Sequence, residues 1–300
     1  MHGGAVFRDP VMIDADMRAK IGDLAPLAPL HMPPSLDVID AVLERIPGAI
    51  HVACFDTAFH SHMPEVARRL PLPEELDQQG YRRYGFHGLS YESAVSELTR
   101  QLGHLPPRLI VMHLGNGASA AAILNGRSIA TTMGYSAVDG LVMGTRTGSL
   151  DPGVVLGLLR DKGYGAEELE RLLYHKSGLL ALSGETSDMR TLLASTSPSA
   201  AFAVDYYCYW AARHVGSLAV ALGGLDAIAF TGGIGENAAH VRAAICSSIA
   251  FLGVEINQNA NAHNTFDITE TSAVARAYIV SAQEELVIAR HTQRLARTLG

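Results

Sequence analysis

Two Asn-Gly pairs, Asn116-Gly117 and Asn125-Gly126, punctuate an otherwise apolar run from Leu109 to Thr132. Both positions of such a pair tolerate positive φ, so each reads as a tight hairpin turn, and two in succession fold the run into a three-stranded antiparallel meander. Strands that reverse so quickly exclude an all-parallel sheet. The first turn has glycine on both sides of Asn116, which leaves its backbone amides open to close approach by an anion such as phosphate. Glycine-rich turns are more often plain hairpins, so this feature does not decide the function by itself.

The residues after the meander strengthen the anion reading. Arg146 lies in GTRTG between Gly144 and Gly148, where a flexible backbone lets a guanidinium reach an anion. Asp151-Pro152 starts a helix, as N-cap and first helical residue. The periodicity predicts helices over 152–162, 165–176, 188–195 and 200–222, the last apolar on most sides and therefore buried. A strand over 226–230 runs into Thr231-Gly-Gly-Ile-Gly-Glu-Asn237 with a helix from about Ala238, a strand–glycine turn–helix that offers a second anion or nucleotide site. A strand over 277–281 precedes Glu284-Glu285, which open the last helix; acids in a first turn are common there without any metal.

Upstream, the proline-rich residues 25–34 predict an extended loop, and a short helix comes next over 36–45. Residues 49–55 read as a buried strand with Asp56 at its carboxyl end, where α/β sheets bind ligands; a capping aspartate is an equal alternative. YRRYGFHG (81–88) sets His87 between glycines, ahead of a helix over 90–103 with a serine cap. Pro106-Pro107 marks the best domain boundary.

The 300 residues are 48% hydrophobic and 18% charged, enough for one or two ample cores. With 23 basic against 30 acidic residues and a net charge of -7, no broad nucleic-acid footprint is expected. Cys54, Cys208 and Cys246 lack metal-ligand spacing and read as buried thiols of a cytoplasmic protein. No signal peptide is visible, and the most apolar stretch, 215–225, is too short to span a bilayer. No membrane association is expected.

One competing reading is a Rossmann NAD-dependent oxidoreductase, from Gly233-x-Gly235-x-x-Ala238 with Glu255 as the ribose acid. It places a hairpin meander where βαβ units belong, and it leaves Asn116, Arg146 and Asp56 without work.

A phosphotransferase uses all these features together. FDTAFHSHMP (55–64), YRRYGFHG (81–88), HLGNGAS (113–119), DGLVMGTRTG (139–148), SGLLALSG (177–184), FTGGIGEN (230–237) and EELVIAR (284–290) succeed one another in the order seen in acetate kinases, which the chain closely resembles over essentially its full length. The resemblance implies an α/β, two-lobed, actin-like ATPase fold with ribonuclease-H-like domains. Its first lobe is expected to be incomplete, because the family's opening strand, its Asn-Gly-Ser-Ser-Ser-type phosphate turn ending in lysine, and a substrate-binding arginine would precede Met1. Residues 1–107 would be the remainder of the N-terminal lobe, 108–283 the nucleotide-binding lobe, and 284–300 a helix packing back toward the first lobe. Also implied are ATP/ADP and Mg²⁺, acetate or another short carboxylate with its acyl phosphate, and a homodimer.

Carried over by motif, His113, Leu114, Gly115, Asn116 and Gly117 form the phosphate turn. Asp188, Met189 and Arg190, with Gly232, Gly233, Ile234, Gly235, Glu236 and Asn237, surround the adenosine. Arg146 and His87 face the transferring phosphoryl group, Asp56 orders Arg146 and the magnesium shell, and Glu284 is a magnesium ligand. Met32, Ala137, Thr147 and Ser149 depart from the family's motifs. A propionate- or butyrate-type acyl kinase, and an inactive fragment that binds nucleotide or dimerises, stand as alternatives.

Overall fold

A computed structural model describes residues 1–28 and 32–298. The N-terminal part pairs β1 (Val11–Met12) antiparallel with β2 (Val52–Ala53) around helices α1 (Ala15–Gly22) and α2 (Met32–Arg45). Phe7, Ile21, Met32, Ile39, Ala53 and Phe55 form its apolar core, with the Phe7 and Phe55 rings stacked at 4.5 Å. The strand expected over 49–55 shrinks to two residues, because only β1 offers it a ladder. The loop expected over 25–34 contains a 3₁₀ turn at Ala25–Leu27, while residues 29–31 lie outside the described residues. Helix α2 starts four residues before the expected Leu36, with Pro33 and Pro34 in its first turn, where a missing N–H costs no bond.

Short helices α3 (Glu65–Arg68) and α4 (Glu74–Gln78) lead to α5 (Gly88–Leu102). The serine cap expected at residue 90 is not one. His87 stands at the helix start in the left-handed region, φ 59°, and Asp56 caps from a distance. Its Oδ2 accepts the His87 amide at 2.7 Å, its carbonyl accepts the Gly88 amide at 2.9 Å, and Oδ1 approaches the Leu89 amide at 3.5 Å. A side chain at Gly88 would collide with that carbonyl, which is why glycine comes after the histidine.

The meander forms, but only its second turn has the expected tight geometry; the first is a three-residue loop, 115–117, with positive φ at neither Asn116 nor Gly117. Strands β3 (Arg108–Leu114), β4 (Ala118–Leu124) and β5 (Arg127–Thr131) pair antiparallel in sequence order. Asn125 and Gly126 both have positive φ, as a tight two-residue hairpin requires. Four helices come next, α6 (Pro152–Lys162), α7 (Ala166–His175), α8 (Gly178–Ser183) and α9 (Met189–Ala194), then the long α10 (Pro198–Leu222). Asp151 caps α6 through the Gly153 amide, with Pro152 first in the helix.

Strand β6 (Ala227–Thr231) then enters the sheet parallel to β3. Helix α11 (Gly232–Asn237) begins at once, so TGGIGEN is itself helical rather than a turn; α12 (Ala239–Ser248) and α13 (Gln258–Ala262) continue the chain. Strand β7 (Arg276–Ile279) adds parallel to β6, and α14 (Glu284–Ala296) closes the described chain. The sheet order is β5-β4-β3-β6-β7, a meander flanked by two parallel strands, as a ribonuclease-H-like domain has it. That mixed topology removes the Rossmann reading, and Glu255 is taken up by the Ser272 hydroxyl at 2.8 Å.

Both sheet faces are covered. Ile110, Met112 and Leu114 look toward α10, whose approach is eased by the small Ala118, Ala120 and Ala122 of β4; Leu109 and Val111 look toward Tyr91, Ala94 and Leu98 of α5. All three cysteines are buried free thiols. No described helix is long and apolar enough to cross a membrane.

His60 ties the segment before α3 to the sheet. One ring nitrogen lies 3.0 Å from the Phe86 carbonyl, which only accepts, so Nε2 carries the hydrogen and Nδ1 accepts the Ser128 hydroxyl at 2.7 Å. Burial pushes its pKa down to about 4. A depressed histidine contributes stability that is complete above its unfolded pKa of about 6.5 and is lost as pH falls toward 4. Over that window the loss from His60 should reach about 3 kcal/mol. Its imidazole should therefore remain in the neutral Nε2–H form at pH 5.5 by ¹⁵N NMR, while thermal stability falls from pH 7 to pH 4.5. A ring that titrates near pH 6.5 would refute this account.

Candidate active site

The parallel pairing of β3 with β6 brings two glycine segments to one edge of the sheet. His113 is in register with Thr231, so the turn at Gly115–Gly117 and the start of α11 lie side by side. Gly115 donates its amide to the Gly117 carbonyl at 3.0 Å. Gly232 has φ +79°, and a Cβ there would stand 2.8 Å from the Leu114 carbonyl oxygen, so only glycine lets α11 approach β3 this closely. Gly233 meets nothing within 4 Å at its missing Cβ and is open to the cleft.

A cavity of about 360 Å³ opens along this edge. It is lined by Gly115, Asn116, Asp188, Met189, Arg190, Gly233, Ile234 and Asn237, together with Ser187, Leu193 and Ala238, which the family motifs do not single out. Its volume falls in the range of small-molecule sites. Asp188 caps α9 by accepting the Thr191 amide at 2.9 Å, and that bond holds its carboxyl below the usual carboxylate range. Met189 is buried beneath, and Arg190 is exposed. Asn237 donates to the Gly233 carbonyl at 2.9 Å. Glu236 accepts from the amides of Gly232 and Ala282, each at 3.1 Å, and so bolts α11 to the segment before α14. A Cβ at Gly235 would lie 3.4 Å from the Phe230 backbone.

At the other end of the turn, Gly117 meets two cationic or hydrogen-bonding side chains. A Cβ at this position would lie 3.3 Å from His87 Nε2 and 3.8 Å from Arg146 Nη1. The His87 and His113 rings stack at 4.2 Å between centroids. His87 Nδ1 lies 2.8 Å from the Ser119 hydroxyl, and His113 Nδ1 2.8 Å from that of Ser90. Burial is the main cause that lowers both pKa values, that of His113 to about 3, so this pair is neutral at physiological pH.

Arg146 is half-buried, and burial lowers its pKa as well. Nη1 donates to the Ala137 carbonyl at 3.1 Å, and the guanidinium stands 5.8 Å over the Tyr174 ring. Among the described residues no carboxylate pairs with it, Asp56 included. Its loop is clamped by α8: Leu179 and Leu180 donate to the carbonyls of Met143 and Gly144, and Ser177 to that of Thr145. The SGLLALSG string is thus the support of the arginine.

Glu284 stands at the start of α14, and burial, then the charge of Asp56, raises its carboxyl pKa. Among the described residues no group of three or more His, Cys, Asp or Glu could hold a metal unaided. Magnesium needs no such cage, since it is bound by one or two carboxylates with water and substrate phosphates. A partly desolvated carboxylate under a second one's field fits that requirement. Ser119, Tyr91, Ser90 and Tyr174 also touch the site. Ser119 closes the HLGNGAS string, and Ser90 and Tyr91 come just after YRRYGFHG.

The chain is similar to known proteins over nearly its whole length. The family model described as Acetokinase family matches residues 1–290. An acetate kinase of Rhodopseudomonas palustris (strain TIE-1) is 50% identical over 300 residues, which cover 99% of this chain and 75% of that protein. One of Rickettsia akari (strain Hartford) is 43% identical over 292 residues, 96% of this chain and 75% of that protein. The crystal structure of a propionate kinase from Francisella tularensis superposes with a TM-score of 0.94 at 37% identity, covering 98% of this chain and 77% of the other. That of Porphyromonas gingivalis acetate kinase gives 0.92 at 37% identity, over 98% and 76%. The fold is the α/β, actin-like ATPase fold of these kinases, and the chain belongs to the acetokinase family.

Proposed function

We propose that this protein is an acetate kinase, transferring the terminal phosphoryl group of ATP reversibly to acetate to give acetyl phosphate. The observation that carries the reading is the convergence of Arg146 and His87 on Gly117, next to the cavity between the glycine turn and α11. Family membership supports the reaction class, a phosphotransferase with a carboxyl acceptor.

A carboxylate acceptor is ionised at neutral pH and needs no general base. The demand on the protein is to bring two anions in line and to meet the charge that spreads over the equatorial oxygens of the phosphoryl group. Arg146 is suited to the second task. It is partly desolvated, pairs with no carboxylate among the described residues, and sits on a loop clamped by α8. Neutral His87 supplies a hydrogen bond without a second full charge, beside the turn at Gly115–Gly117. Asp188, Met189, Arg190, Gly233, Ile234 and Asn237 form the adenosine side, while Gly232, Gly235 and Glu236 shape α11 beneath it. Glu284 would hold Mg²⁺, with Asp56 ordering its shell; when bound, the ion neutralises phosphate charge and orients the nucleotide.

The chain is further read as a cytoplasmic homodimer, a reading supported by the exposed Phe202, Tyr209 and Val220 on α10. Residues 1–107 are read as the remainder of a first lobe, supported by the separate core around Phe7 and Phe55, with 108–283 as the nucleotide lobe and 284–300 as the returning helix.

Three outcomes test this. Acetyl phosphate, trapped as its hydroxamate, should form from ATP and acetate, and faster than the propionate or butyrate product. Arg146→Ala should lower kcat by a factor on the order of 10³ or more, with ADP affinity by calorimetry changed less than about threefold. A loss of tenfold or less would make Arg146 a positioning group. The third concerns Glu284, whose raised pKa means that its charged form costs stability: the favourable contribution exists below pH 4.5 and is lost as pH rises through the folded value. Glu284→Gln should therefore melt no lower than the parent at pH 7 without metal, yet lose the extra stabilisation that Mg²⁺ gives to the ADP complex. An unchanged magnesium effect would remove Glu284 from the metal site.

A further inference from the structure

Behind His87 lies a buried pair that the reaction chemistry above does not use. Tyr91 of α5 and Ser119 of β4 are both fully buried, and the Tyr91 hydroxyl bonds Ser119 Oγ. Ser119 Oγ also lies 2.8 Å from His87 Nδ1. We infer that Tyr91 and Ser119 form a hydrogen-bond chain of fixed direction that holds His87 as its Nε2–H tautomer, making it a permanent hydrogen-bond donor toward the cleft. This rests on the reading of the cleft as a phosphoryl-transfer site.

The direction comes from counting hydrogens. A phenol has one hydrogen, and so does a serine hydroxyl. The Tyr91 ring is enclosed by Phe59 at 6.0 Å, the edge of His60 at 5.4 Å, and the apolar Ala94 and Leu98. Ser119 is the one hydrogen-bond partner of its hydroxyl among the described residues. Were Ser119 to donate to Tyr91, the phenolic hydrogen would be buried without an acceptor, which is costly. Tyr91 therefore donates to Ser119, and burial keeps the phenol protonated by raising its pKa. The single hydrogen of Ser119 is then free for His87 Nδ1, which must accept it.

His87 is neutral, so its one ring hydrogen sits on Nε2, the nitrogen beside Gly117 and Arg146. The opposite tautomer would turn a lone pair toward the oxygens of an anion. The ring is held from its backbone side too, through the Asp56 bond to its amide. Tyr91 and Ser119 are thus positioning residues: they touch no substrate but decide which end of the imidazole donates.

The test is ¹⁵N-histidine NMR on the full chain together with the hydroxamate assay. In the unsubstituted protein His87 should show the Nε2–H pattern. Tyr91→Phe, which removes one oxygen without changing shape, frees the Ser119 hydrogen, so the Nδ1–H form should rise to a comparable population. Ser119→Ala should do the same, while Ser119→Thr, which keeps the hydroxyl, should restore the Nε2–H form. kcat should fall at least about tenfold in Tyr91→Phe and Ser119→Ala, with KM for ATP within about twofold. An Nδ1–H ring in the unsubstituted protein overturns the inference, as do an unchanged tautomer and kcat in both folded variants. Failure of the proposed reaction itself would appear as absent acetyl phosphate in the unsubstituted protein, whatever the spectra show of the ring.

Discussion

The parallel pairing of β3 with β6 is the constraint on which the site depends. It starts from a fixed point at the entrances of the two strands: the Asp226 amide donates to the Arg108 carbonyl and the Arg108 amide to the Asp226 carboxylate, each at 2.9 Å, and the guanidinium joins that carboxylate as well. From that clamp the register runs on to His113 opposite Thr231. Because side chains alternate along a strand, a slip of one residue would turn Ile110, Met112 and Leu114 away from α10 and present Leu109 and Val111 there instead. The core thereby enforces the register that puts the Gly115–Gly117 turn against α11.

Electrostatically, the end of the site near Gly117 is sparing with charge. His2 and His60 are buried and His87 and His113 partly so, and burial is the main cause that lowers the pKa of all four. Arg146 is the cation near Gly117, and it has a carbonyl and an aromatic face for company rather than a carboxylate. Such an arrangement favours an anionic guest, since a guanidinium already stripped of water has little further desolvation to lose when phosphate arrives.

Much of this is legible in the sequence, and the legible part is local. The meander, the Asp151-Pro152 helix start and the long α10 are encoded within a few residues of themselves. The extent of the strand in residues 49–55 is not, because a strand's length is set by its partner, and β1 offers only Val11–Met12. The apparent cap at Ser90 misleads for the same kind of reason: Asp56, thirty-one residues before His87, takes the amides at that helix start. Ser119 and Tyr91 give no local sign of their role, because their hydrogen bond joins a strand to a helix 28 residues away.

Asp56 has one further consequence, for how a chain of this kind is free to vary. Its carboxylate holds the amides of His87 and Leu89, while its charge is felt at Glu284. The geometry of an imidazole and the acidity of a carboxyl remote in sequence are therefore written into one side chain. Glutamate here would keep the charge but add a methylene and displace the ring; asparagine would keep the length but release the field. Neither property has an independent dial, so drift at this position meets two vetoes at once, and adaptation of the site has to proceed through residues that touch only one of them.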